Sequence, residues 1–165
     1  MIKLTPKEIS GAVGLARANS PETKKYVGAL LQKAPAAEGL LLSAVLAEIK
    51  SVQFVKSDEQ GALKYMARVN VYNGQVAIML ARAMKEKNMD GTKEIIGAIN
   101  KFDGIAEIVP GELKFGIKYM VAEIFGNEQW MAKAAKKLKE IVDTNIGLKI
   151  AAENYAYEIV KKRLN

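Results

Sequence analysis

Apolar residues recur along this chain at intervals of three and four, and short polar clusters with helix-starting chemistry separate the runs. That spacing lines one face of an α-helix, whereas a half-buried strand would alternate. Thr5-Pro6-Lys7-Glu8 is a capping box with proline at the first helical position. It predicts a first helix to about Ala18. Ser20-Pro21-Glu22 predicts a second, capped by Ser20 and ending near Lys33, ahead of Pro35.

The third helix is expected over Ala36–Lys56. Leu40, Leu41, Leu42, Val45, Leu46, Ile49 and Val52 cover most of its circumference, the pattern of a central, buried helix. Gly39, Ser43 and Ala47 form a small-residue stripe along it, suited to a close helix approach. Ser57-Asp58-Glu59-Gln60 is a second capping box. It opens a long helix to about Lys87, with a kink or break expected at Asn70, Asn73 and Gly74.

A turn at Asn88–Gly91 and a short helix over Thr92–Phe102 follow, the latter stopped by Asp103-Gly104. Ile105–Val109 fits either a helical turn or an extended segment. Pro110-Gly111-Glu112 opens a helix that ends at Gly126, where glycine closes helices. Asn127 caps the next, to about Val142. After a brief interruption or a kink at Asp143–Asn145, a last helix spans Ile146–Leu164, with Lys161, Lys162 and Arg163 in its final turn. The reading is a single all-α domain over residues 1–165, a bundle of seven to eight helices around the central one. Neither a sheet pattern nor an internal repeat stands against it.

Composition narrows the chemistry. The 165 residues include no histidine and no cysteine. Those side chains carry most nucleophilic catalysis, most proton transfer near neutral pH and most transition-metal binding. Nothing replaces them. Ser20 and Ser57 read as caps and Ser43 as a packing residue, so no Ser–Lys dyad has a motif behind it. Glu48, Glu107 and Glu123 sit in apolar surroundings, but the glutamate–histidine pattern of di-iron bundles lacks its histidine. Gly11-Ala12-Val13-Gly14 has no flanking strands for a KH module. Gly91-Thr92-Lys93 lacks the upstream glycine and the residue order of a phosphate loop. The expectation is a non-enzymatic protein without metal or cofactor.

Charge points to a partner. The net charge is +7, and it is banded. Residues 1–33 hold six basic against two acidic groups, 61–88 five against one, and 113–139 six against two. Between them, 34–60 hold two basic against four acidic groups and 89–112 two against five. The densest basic element is one helix with Lys133, Lys136, Lys137 and Lys139. Lys133, Lys136 and Lys137 share a face. Trp130, Ala134, Leu138 and Ile141 are expected on the opposite, apolar face. With Lys64 and Arg68, these lysines form the expected nucleic-acid-binding set. A solvated outer helix face is the plainer account of the same lysines.

Arginine is scarce: only Arg17, Arg68, Arg82 and Arg163. Base reading favours arginine forks, while lysine serves phosphate as a point charge. The expected partner is therefore nucleic-acid backbone, read without strong sequence preference. Tyr65, Tyr72, Tyr119, Tyr155 and Tyr157 are available for base stacking or for ordinary core packing with hydroxyls at the rim.

The stretch Lys33-Ala34-Pro35-Ala36-Ala37-Glu38-Gly39-Leu40-Leu41-Leu42 is similar to small all-helical subunits of CRISPR ribonucleoprotein complexes. The likeness does not extend beyond it. Helical coat proteins of filamentous archaeal viruses share the size, helicity and basic charge, which are class properties. Neither amounts to a family signature. Both agree with a coat or ribonucleoprotein subunit that assembles with itself or with partners. A helical protein–protein scaffold, its charge bands pairing between copies, is the alternative. The longest uncharged apolar run lies inside Gly39–Ala47, far short of the ~20 residues a spanning helix needs. The first residues lack a signal peptide's apolar region, so a cytoplasmic protein is expected. Abundant Lys and Glu with little glutamine suggest a heat-adapted source, against which stand seven methionines.

Overall fold

The structure, a computed structural model, describes residues 1–105, 118–119, 122 and 126–144. Six α-helices and no strand occur among them: α1 Pro6–Arg17, α2 Thr23–Lys33, α3 Ala36–Phe54, α4 Glu59–Lys85, α5 Met89–Asp103 and α6 Glu128–Thr144. The helices expected over 110–126 and 146–164 lie outside the described residues, as does most of the 105–109 segment. No described helix is long and apolar enough to cross a membrane.

Local chemistry sets most helix ends. The Thr5 hydroxyl accepts the Glu8 N–H at 3.2 Å, and the Glu8 carboxylate accepts the Thr5 N–H at 2.9 Å. Both halves of the capping box are thus made. Ser20 acts differently from the expectation. Its hydroxyl accepts the Glu22 N–H and its carbonyl the Thr23 N–H and hydroxyl, so it builds a turn ahead of α2. The cap of α4 falls on Asp58, one residue later than expected, where its carboxylate accepts the Gly61 N–H at 3.0 Å. Asn88 caps α5 through the Gly91 N–H at 2.9 Å, so the expected turn at 88–91 is already the first turn of the helix.

Two helices close on a left-handed residue other than glycine. Asn19 and Lys87 take up left-handed backbone, with φ of 50° and 54°. Their neighbours return bonds to the preceding turn, from Ser20 N–H to Leu15 C=O and from Asn88 N–H to Ala83 C=O. This is the reversal expected at a helix C-terminus. Gly126, at φ +65°, makes the same reversal before α6.

The core is formed by facing stripes of α1, α3, α4 and α5. Leu4, Ile9, Leu41, Leu42, Val45, Val76, Leu80 and Phe102 are its largest fully buried members. Full burial of each such side chain contributes roughly 1.5–3 kcal/mol. Among the described helices α3 packs most extensively against α4, and it also contacts α1 and α5. Its apolar circumference is not uniformly covered: Leu46 and Ile49 are half-buried, and Val52 is 67% exposed. At Gly39 the small-residue stripe does not serve a tight crossing. A side chain at Gly39 would meet Leu31 of α2 at an ordinary 3.7 Å, and the Ser43 hydroxyl donates back to the Gly39 carbonyl.

α4 runs unbroken for 27 residues, through Asn70, Asn73 and Gly74. The helix does not break there, because its core stripe continues across these residues. Ala62, Met66, Val69, Asn73, Val76, Leu80 and Ala83 alternate steps of four and three along one side. Except for half-buried Met66, all are buried. Asn73 interrupts the apolar stripe, and neither its amide nitrogen nor its oxygen has a hydrogen-bond partner. The amide nitrogen of Asn70 is also buried without one.

Candidate nucleic-acid interface

The expected binding residues fall on two helices. On α6, the side chain of Asn127 accepts the Trp130 N–H at 3.1 Å, which fixes the first turn. Lys133, Lys136, Lys137 and Lys139 are all exposed. At 100° per residue, Lys133, Lys136 and Lys137 occupy one sector of the helix, whereas Lys139 lies about 160° round from Lys137. The row is therefore three lysines, with the fourth apart. The Lys137 ammonium pairs with Glu140 one turn on, at 3.1 Å. Between exposed groups such a pair is weak and screened by salt, so it leaves Lys137 free to exchange partners.

Trp130 departs from its expected place. Ala134 is buried and Leu138 half-buried, as an apolar face requires, but Trp130 is 59% exposed. It stands at the boundary between the buried side and the lysines. Helical angles place Lys137 about 20° and Lys133 about 60° from it. Among the described residues no aromatic ring or cation sits on the indole. Apolar character suggested the inward face, but only the three-dimensional surroundings decide which edge of a helix is covered. The side chain of Ile141 lies outside the described residues.

Lys64 and Arg68 lie one turn apart on α4, both exposed. The Arg68 guanidinium sits 5.1 Å from the centre of the Tyr65 ring. Tyr65 in turn stacks on Phe54 of α3, with centroids 5.7 Å apart and planes within 4°. The Tyr65 ring is thus engaged within the fold, which leaves Arg68 held in place by its cation–π contact. Tyr72 and Tyr119 are half-buried, and Tyr155 and Tyr157 lie outside the described residues. α6 is not among the extensively contacting helix pairs of the described residues, so no such contact joins the α4 and α6 sets.

Among the described residues, the buried charge is elsewhere. Glu38, in the first turn of α3, is 3% exposed. Its carboxylate accepts the Leu4 N–H at 2.6 Å and pairs with the Lys101 ammonium of α5. Lys101 also donates to the Leu4 carbonyl at 2.9 Å. One ion pair therefore ties the segment before α1 to α3 and α5. Glu38 is not among the glutamates that the sequence singles out, Glu48, Glu107 and Glu123, because an acidic residue in a first turn is ordinary. The readable signal was a carboxylate among Ala36, Ala37, Leu40, Leu41 and Leu42. Glu48 is half-buried, and Glu107 and Glu123 lie outside the described residues.

A second tie joins Glu8 of α1 to Lys33 at the end of α2, next to the Ile2 N–H bond to the Lys33 carbonyl. The Lys33 hydrogen bond, with help from the Thr5 N–H, holds the Glu8 carboxyl far below its ordinary range, at about 2. Both carboxylates are committed to holding helices together.

Comparison of the chain with protein-family models, with curated proteins and with solved structures finds no match. Functional inference therefore rests on the residues themselves.

Proposed function

We propose that this chain is a non-enzymatic helical assembly protein that contacts nucleic-acid backbone without strong sequence preference, as a nucleoprotein coat or a small ribonucleoprotein subunit in the cytoplasm. The observation behind it is the exposed row Lys133, Lys136 and Lys137 on α6, in a chain of net charge +7. Three point charges on one rigid helix suit phosphate oxygens, and they carry no base-reading geometry. Lys64 and Arg68 form a second, smaller basic position, of which the guanidinium is held by Tyr65.

Binding to labelled DNA and RNA of unrelated sequences, across a salt series, tests the reading. With three to six phosphates neutralised, log K falls against log salt with a slope of about −3 to −5 for duplex. Neutralising Lys133, Lys136 and Lys137 together lowers the slope by about three. Absence of any binding at low salt refutes the proposal.

The scaffold reading has one observation in its favour. The outer face of α2 carries Lys24, Lys25 and Gln32 around the small residues Gly28 and Ala29, and α5 exposes Asp90 and Glu94. Opposite charges on separate helices permit pairing between copies. Molecular size measured across salt without nucleic acid separates this from the first reading.

A further inference from the structure

We infer that the α6 surface selects single-stranded over duplex nucleic acid, with Trp130 stacking on an unpaired base while Lys133 and Lys137 take the adjoining phosphates. The inference rests on the nucleic-acid reading above and names the form of its ligand.

Three observations converge. Trp130 is the only tryptophan of the chain, and it is 59% exposed, whereas tryptophan is on average highly buried. Its ring has no aromatic or cationic partner among the described residues, in contrast to Tyr65, which has both. Its flanks on the exposed side are lysines. Lys133 and Lys137 stand about 4.5 and 10.5 Å along the helix axis from it, both on the same side of the ring. The Asn127 cap holds the turn that carries Trp130, so the ring is presented from a fixed backbone.

The chemistry then separates the two forms of ligand. In a duplex the faces of the bases are covered by their neighbours, and a wedge between them costs a few kcal/mol of unstacking. A single strand offers the same phosphates with base faces free. Stacking on an aromatic side chain tolerates any base, because every base has a π-face. An indole beside a lysine row therefore adds affinity on a single strand and nothing on a duplex. A tryptophan among lysines also occurs on helices that lie on anionic lipid. A lipid-bound helix exposes several large apolar side chains together. On α6 Ala134 is buried and Leu138 half-buried within the fold, and among the described residues of that helix only Trp130 offers a large apolar side chain to solvent.

The test uses the intrinsic emission of the unaltered 165-residue chain, in which Trp130 is the sole indole reporter. Oligothymidylate, a blunt duplex of equal length, inorganic polyphosphate and phosphatidylserine-containing vesicles are titrated at low salt. Oligothymidylate is expected to quench the emission. Duplex and polyphosphate are expected to bind with little quenching. Trp130→Ala weakens oligothymidylate binding by about 5- to 150-fold, the range of one base stack. It leaves duplex binding within about twofold, and Trp130→Phe restores much of the loss. Equal binding of strand and duplex, with equal effects of Trp130→Ala on both, overturns the inference. So does a blue shift with vesicles and silence with oligonucleotides. If neutralising the three lysines abolishes binding while Trp130→Ala changes nothing, the strand inference falls and the parent proposal stands. If no polyanion binds, both fall.

Discussion

Replacing Lys101 with methionine isolates the buried tie between the segment before α1 and helices α3 and α5. Methionine keeps most of the aliphatic stem and removes the ammonium. Glu38, 3% exposed, then retains the Leu4 N–H but loses its counter-ion, and the Leu4 carbonyl loses its donor. Removing one member of a buried pair costs about 3–5 kcal/mol. Lys101 keeps partial contact with solvent, so the lower end applies, about 3 kcal/mol. For a chain of this size that lowers the melting temperature by about 6–12 °C. Urea denaturation followed by circular dichroism gives the free energy directly, with the m-value as a check that the unfolded reference is unchanged. The double variant Glu38→Leu with Lys101→Met removes both charges. It is expected to lose less than the sum of the single variants, with a coupling of about 1–3 kcal/mol. A loss under about 1 kcal/mol for Lys101→Met, or strict additivity in the cycle, refutes the assignment of this pair as a structural tie.

Asn73→Leu, close to isosteric, replaces two unmade hydrogen bonds by apolar contact in the α4 stripe and stabilises the fold by about 1–3 kcal/mol. A destabilised variant in the same urea assay means that the amide has a partner. The Glu8 carboxyl, depressed to about 2, contributes stability that is full above its unfolded value of about 4.5 and is lost as pH falls through about 2. A melting series over that acid range is therefore flatter for Glu8→Gln than for the parent, and an unchanged slope counts against the Lys33 tie. Gly14, Gly28 and Gly97 lie inside helices, with open space where a Cβ would stand. Alanine at each raises stability by roughly 0.5–1 kcal/mol, and a loss at any of them exposes a contact absent from the isolated chain.

Short-range chemistry was the legible part of this molecule. Thr5 and Glu8, Pro35 after Lys33, and Asn127 beside Gly126 each act within a turn of their own position, so the residues alone suffice to place them. Where two capping residues adjoin, as at Ser57-Asp58, the geometry of the incoming chain chooses between them. Asn70, Asn73 and Gly74 read as helix breakers by propensity, and packing of the surrounding Val69, Val76 and Leu80 overrides it. Long-range pairing was not legible. Glu38 and Lys101 stand 63 residues apart, and nothing near either names the other. The lysine row of α6 followed from spacing alone. The exposure of Trp130 did not, since helical angles put it at a boundary that only neighbouring elements assign.

The span of that buried tie also orders events during synthesis. Leu4 and Glu38 are made early, yet the ammonium that completes their arrangement follows 63 residues after Glu38. At ribosomal speeds of 5–20 residues per second, that interval is about 3–13 s. Throughout it the carboxylate has no Lys101 ammonium, while the capping box of α1 and the α3–α4 hairpin can already form from local contacts. Burial of Glu38 beside the Lys101 ammonium must then wait for α5. The tie between the segment before α1 and helix α3 is therefore completed only when α5 supplies its cation.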